Sequence, residues 1–112
     1  MEAKEKNILT YEKADGNVPF NEWLSALRDK KARAIIRTRI NRVRLGILGD
    51  CKAVGEGVSE LRIDFGAGYR VYFASEGKTI IVLLCGGDKS SQNKDIERAK
   101  EYWKDYKRRS DD

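Results

Sequence analysis

The chain has 112 residues, which allows one domain with one modest core and leaves no room for a second. Its residues are 40% hydrophobic and 37% charged, too apolar for wholesale disorder, and the formal charge of +5 favours an anionic partner. No histidine is present, which removes the imidazole general base, Ser-His and Cys-His nucleophile pairs, and most transition-metal sites. Catalysis has to run on Lys, Arg, Tyr or carboxylates, and neither a metal nor a cofactor is expected.

The opening stretch "MEAKEKNILTYEK" has no apolar run of signal-peptide length, and no later stretch reaches bilayer-spanning length. A cytoplasmic location without membrane contact is the expectation. "NILTYE", Asn7 to Glu12, alternates weakly and predicts an edge strand, followed by the turn-prone "KADGNV". Pro19 suits a first helical turn, and Phe20, Trp23, Leu24 and Leu27 recur on one helix face. A second helix is predicted from Lys31 to Leu48. Ile36, Ile40, Val43 and Ile47 form its apolar stripe, with five arginines around the rest and Gly46 and Gly49 marking its end. These helices should form a hairpin on one side of a sheet.

"GDCKAVGEGVS" has three glycines and no periodicity, so it reads as a surface connection. Three strands are predicted next, at about Ser59 to Asp64, Tyr69 to Ala74 and Thr79 to Cys85, joined by short antiparallel turns. The last, "TIIVLLC", is apolar almost throughout, as a strand covered on both faces would be. After "GGDKSSQ", Ile96, Ala99, Trp103 and Tyr106 predict a terminal helix with Ser91 as N-cap and a basic end at Lys107, Arg108 and Arg109. Cys51 and Cys85 lack any metal-ligand spacing and read as reduced structural thiols.

The chemistry concentrates in "ELRIDFGAGYRVYF", Glu60 to Phe73. Side chains alternate across a strand, so Leu61, Ile63, Val71 and Phe73 face a core only if Arg62, Arg70 and Tyr72 face away. A turn over Phe65 to Ala67 sets Arg62 directly opposite Arg70. Two like charges so placed destabilise a hairpin by up to about 1 kcal/mol. Either Glu60 or Asp64, on the same face, relieves the pair, or the pair awaits an anion; the pattern leaves both open. The loop "CGGDKSSQNK" adds Lys89 and Lys94, with glycines that permit close backbone approach to a ligand. Arg62, Arg70, Tyr72 and Lys89 on one concave face suit a phosphodiester chain, with forked guanidiniums on phosphate and an aromatic ring on an unpaired base.

Across "PFNEWLSAL", "ELRIDFGAGYRVYF" and "LLCGGDKSSQNKDIERAKEYW", with the basic helix between, the chain resembles the RelE/ParE superfamily of bacterial type II toxin–antitoxin toxins, in its phage-related, HigB-like branch. The resemblance implies an α+β domain over residues 1–112: two N-terminal helices packed on a twisted, mostly antiparallel sheet of about four strands, plus a C-terminal helix. It implies a ribosome-dependent messenger RNA endonuclease neutralised by a cognate antitoxin, usually a helix-turn-helix DNA-binding protein. The alternatives are a ParE-like DNA gyrase inhibitor and a non-toxic module that binds antitoxin or nucleic acid. Carried over by motif, Arg70 of "GYRVYF" matches the arginine on the scissile phosphate. Arg62 and Lys89 occupy basic positions of the site, and Tyr72 is a further catalytic candidate. Lys94 joins Arg62, Arg70 and Lys89 as an RNA-binding candidate. The paired lysines of RelE are absent here, where Glu60 and Asp64 flank Arg62, and the C-terminal catalytic tyrosine of RelE has no secure match in Tyr102 or Tyr106.

Overall fold

The computed structural model describes residues 5–110. The chain opens with strand β1, Asn7–Thr10, and then forms helices α1, Pro19–Ala26, and α2, Lys30–Arg44. Four strands follow, β2 (Cys51–Gly55), β3 (Val58–Ile63), β4 (Tyr69–Glu76) and β5 (Ile80–Gly87). A 3-10 turn at Lys89–Ser91 leads into α3, Gln92–Ser110.

The architecture corrects the expected one. The sheet has five strands in the order β1-β5-β4-β3-β2, and it is mixed, because β1 pairs parallel to β5 while every other pair is antiparallel. The edge strand expected at Asn7 to Glu12 is β1, and it precedes the two helices, which therefore do not open the fold as the resemblance implied; α3 covers the sheet face opposite theirs. The apolar β5 sits inside the sheet, where β1 completes the ladder on its open side. The extra strand β2 comes from the segment expected to be a surface connection. "CKAVG" carries no apolar alternation, and its strand state comes from pairing with β3 across a tight turn in which Glu56 itself adopts a positive φ of 54°.

Local chemistry sets the helix ends. Asp29 caps α2 by accepting from the amides of Lys31 and Ala32 at 2.9 and 3.1 Å. Gly46, at φ 86°, closes α2 with paired bonds from its own amide to the Val43 carbonyl and from the Ile47 amide to the Arg42 carbonyl. The helix thus stops at Arg44, short of the expected Leu48, and Ile47 leaves the buried stripe to stand 54% exposed.

Each sheet face carries its own core. Phe20 and Leu24 of α1 and Ile36 and Val43 of α2 pack with Leu61, Ile63, Val71 and Phe73. On the other face Tyr11, Val58, Tyr72, Ala74 and Leu84 pack beneath Ala99 and Trp103 of α3. Burying each large aliphatic or aromatic side chain contributes about 1.5–3 kcal/mol.

Candidate functional site

The hairpin has the register that alternation demands: Leu61 opposes Val71 and Arg62 opposes Arg70. The two arginines share the face on which α3 lies, beyond the part of it that carries the α3 core. Carboxylate relief is present at both arginines, from Glu60 as expected and from Asp50 in place of Asp64. Glu60 Oε1 lies 3.8 Å from Arg70 Nε, and Asp50 Oδ2, from the turn before β2, lies 3.9 Å from Arg62 Nε. Asp64 makes neither contact. Both separations exceed hydrogen-bond length, so the attraction is coulombic and the donors remain free for a better acceptor. Arg70 Nε is buried and has no hydrogen-bond partner among the described residues, a state that normally costs a folded protein about 1–3 kcal/mol.

A cavity of about 220 Å³ lies against this pair, lined by Asp50, Arg62, Asp64, Gly68, Arg70 and Lys89. Lys89 reaches it by lying along the hairpin turn. Gly68, at φ 76°, is what permits this, since a Cβ there would stand 2.8 Å from the Lys89 Cγ. Three cations and two carboxylates thus line one small space. Arg70 is only 6% exposed, while the Arg62 side chain is 41% exposed, so one is a wall and the other a rim.

Lys94 and Tyr72 are placed elsewhere. Lys94 lines a neighbouring depression of about 390 Å³, formed by residues 89–94, which shares Lys89 with the arginine cavity. Tyr72 is fully buried, and its hydroxyl donates to Glu60 at 3.0 Å. Burial, then the adjacent Glu60 carboxylate, push its phenol far above the ordinary range, so the group stays protonated. Its ring offers no surface on which a base can stack. The glycines of "CGGDKS" also serve another purpose than ligand approach: a Cβ on Gly86 would collide with Trp23, and one on Gly87 with Asp95.

Residues 22–104 match the family described as phage derived protein Gp49-like (DUF891). An uncharacterized protein of Haemophilus influenzae is 52% identical over 81 residues, covering 72% of this chain and 82% of that protein. The chain belongs to the Gp49-like family. The family is phage-derived and toxin-like, of the addiction-module kind, and so implies an antitoxin partner. No helix among the described residues is long and apolar enough to cross a membrane.

In this Gp49-like chain Glu60 was an expected partner of the arginines from the hairpin pattern, whereas Asp50 and Gln92 carried no sequence signal. Glu60 is 1% exposed; its Oε2 accepts from Tyr72 and, at 2.7 Å, from Gln92 Nε2 at the start of α3. Its Oε1 is left toward Arg70. A glutamate alternating with leucine reads as solvent-facing, and only α3 crossing above it makes it internal. Ser91 donates to the buried Asp95 instead of capping α3, while Asp88 caps the 3-10 turn by accepting from the Ser90 amide at 2.8 Å. The C-terminal tyrosines stay at the far end of the sheet. Tyr106 donates to Glu76 and stacks on Trp103, and six residues of extended β4, about 20 Å, separate Glu76 from Arg70.

Proposed function

We propose that this chain is the toxin of a type II toxin–antitoxin module and that it cuts messenger RNA on the ribosome without a metal. The observation that carries the reading is the register-paired Arg62 and Arg70 beside a cavity, with the buried Arg70 Nε lacking a hydrogen-bond acceptor. A non-bridging phosphate oxygen in the cavity meets Arg62 at its rim and Arg70 in its wall, while Glu60 holds the buried Nε side of Arg70 from behind.

In this mechanism the ribose 2′-oxygen bonds to phosphorus and loses its proton, the bond to the 5′-oxygen breaks, and that oxygen takes up a proton. The products are a 2′,3′-cyclic phosphate and a 5′-hydroxyl. Arg62 and Arg70 stabilise the charge on the phosphorane, the contribution that is usually largest in such reactions. Lys89, leaning over the Gly68 turn, exchanges the proton at the cavity mouth, and Lys94 holds flanking backbone. Tyr72 contributes through Glu60, which fixes the wall behind Arg70, and does not touch substrate. The ribosome supplies the attack geometry that this small face cannot impose alone.

Induced expression of the parent should stop growth and produce codon-linked cuts by primer extension; Arg70→Ala should lose both, and Arg62→Ala should weaken both less severely. Since Arg70→Ala leaves Glu60 without its cation, Arg70→Lys and a folding check by circular dichroism accompany it. Cleaved DNA and an SOS response in place of messenger cuts would mean a gyrase target, and undiminished toxicity of Arg62→Ala and Arg70→Ala would remove the site.

A further inference from the structure

On the opposite face of the sheet from the arginine cavity, α2 presents a second surface. Its fifteen residues, "KKARAIIRTRINRVR", include seven lysines and arginines and no carboxylate. With +5 on the whole chain, the remainder carries −2. Among the described residues only Arg44 of the seven has an acidic partner, Glu5. Arg39 is held by the carbonyls of Arg62, Leu48 and Asp50, at 2.7, 3.3 and 3.3 Å, and Arg33 by that of Leu27. Lys30, Lys31, Arg37 and Arg42 have no carboxylate partner among the described residues.

These charges flank an apolar groove. A space of about 330 Å³ runs along the helix, lined by Lys31, Ala34, Ile35, Thr38, Arg39 and Arg42. Lys31, Ile35, Thr38, Arg42 and Leu45 follow each other at spacings of four, three, four and three, so they form one continuous stripe. The stripe runs into Leu45, Ile47 and Leu48, which stand 41%, 54% and 45% exposed just past the Gly46 stop. Most of the large hydrophobic side chains exposed in the described residues are these three.

We infer that this groove docks an acidic amphipathic helix of a protein partner, with its apolar side on Ile35 and Leu45 and its carboxylates against Lys31 and Arg42. The floor decides the class of occupant. A phosphodiester backbone would satisfy the cations but leave Ile35, Leu45, Ile47 and Leu48 wet, whereas a helix with anchors three and four residues apart satisfies both. Because the groove and the arginine cavity lie on opposite sides of the sheet, the partner can hold the chain without entering the cavity. The inference rests on the antitoxin half of the proposed function and not on RNA cleavage.

The test titrates the full chain, labelled with nitrogen-15, against three probes. The first is a peptide of about four helical turns with leucine at positions i, i+3, i+4 and i+7 and glutamate elsewhere. The second is the same composition scrambled, and the third is a single-stranded RNA oligonucleotide. The amphipathic peptide should shift the amides of residues 31–48, and Arg42→Glu or Leu45→Ser, both at exposed positions, should each weaken it about tenfold. Arg70→Ala should bind it as the parent does, whatever that variant does to cleavage. Equal binding of the scrambled peptide, RNA shifting α2 in preference to the peptide, peptide shifts confined to the arginine cavity, or no shift at about millimolar peptide would each overturn the inference.

Discussion

One face of the sheet has two ends, and they differ in what lies over them. At the covered end α3 lays Ala99 and Trp103 over Tyr72, Ala74 and Leu84, and the aromatics stack, Tyr11 on Tyr102 at 4.8 Å and Trp103 on Tyr106 at 5.4 Å. At the other end Arg62 and Arg70 meet a cavity with Lys89 across it. Arg70 and Tyr72 are two residues apart and point the same way, yet one lines a cavity and the other is sealed beneath a helix. Strand alternation assigns a residue to a face. The path of the next helix decides whether that face reaches solvent.

The difference can be broken first at Trp103. It is 6% exposed and its indole packs close over Gly57, so Trp103→Ala should lower unfolding stability by about 3–5 kcal/mol, read as a fall in urea midpoint. A change below 1 kcal/mol would mean the covered end is not a true core. Tyr72→Phe is gentler. It removes one of the two hydrogen bonds to the buried Glu60 carboxylate, and should cost about 1–2 kcal/mol while RNA cleavage stays within a few-fold of the parent. Loss of cleavage by a well-folded Tyr72→Phe would return the phenol to the chemistry.

A smaller effect belongs to pH. The Tyr11 phenol, which donates to Asp105 at 2.6 Å, is pushed up to about 12, by burial first and then by Asp105. A raised folded value means the protonated form is favoured in the native state, so this stabilisation is complete below the ordinary value of 10.0 and fades as pH rises through 12. Tyr11→Phe should flatten the alkaline loss of stability in that window. An unchanged slope would assign the loss to other groups. The smallest stability effect is expected at the open end, where Arg62→Ala should move the urea midpoint by less than about 0.5 kcal/mol equivalent, because its side chain is 41% exposed and its pair with Asp50 is long.

The hairpin was legible because a buried face with period two fixes register, and moving Arg62 away from Arg70 by one residue would have put Leu61 and Ile63 in water. The terminal helix and α1 were legible from their apolar stripes. Strand β2 was not, since its residues have no alternation and it gains strand structure only from β3. The end of α2 was legible in Gly46, whose left-handed backbone stops the helix, but Ile47 fits the helical stripe and carried the expected bound on to Leu48. The site was legible as charges and less as walls: Arg62, Arg70, Lys89 and the relieving Glu60 could be read from the hairpin and its loop, whereas Asp50, found in place of the expected Asp64, and Gln92 are ordinary polar residues that only tertiary placement makes neighbours.

The central claim, that Arg62 and Arg70 together grip one messenger phosphate, is tested most directly by cleavage on programmed ribosomes using parent, Arg62→Ala and Tyr72→Phe proteins of equal foldedness. Parent and Tyr72→Phe should cut at the same sites with similar rates, and Arg62→Ala should cut at least about tenfold more slowly, the loss of a charge-assisted contact of about 1.4 kcal/mol or more. Equal cutting by Arg62→Ala, or its loss only in Tyr72→Phe, would contradict the account.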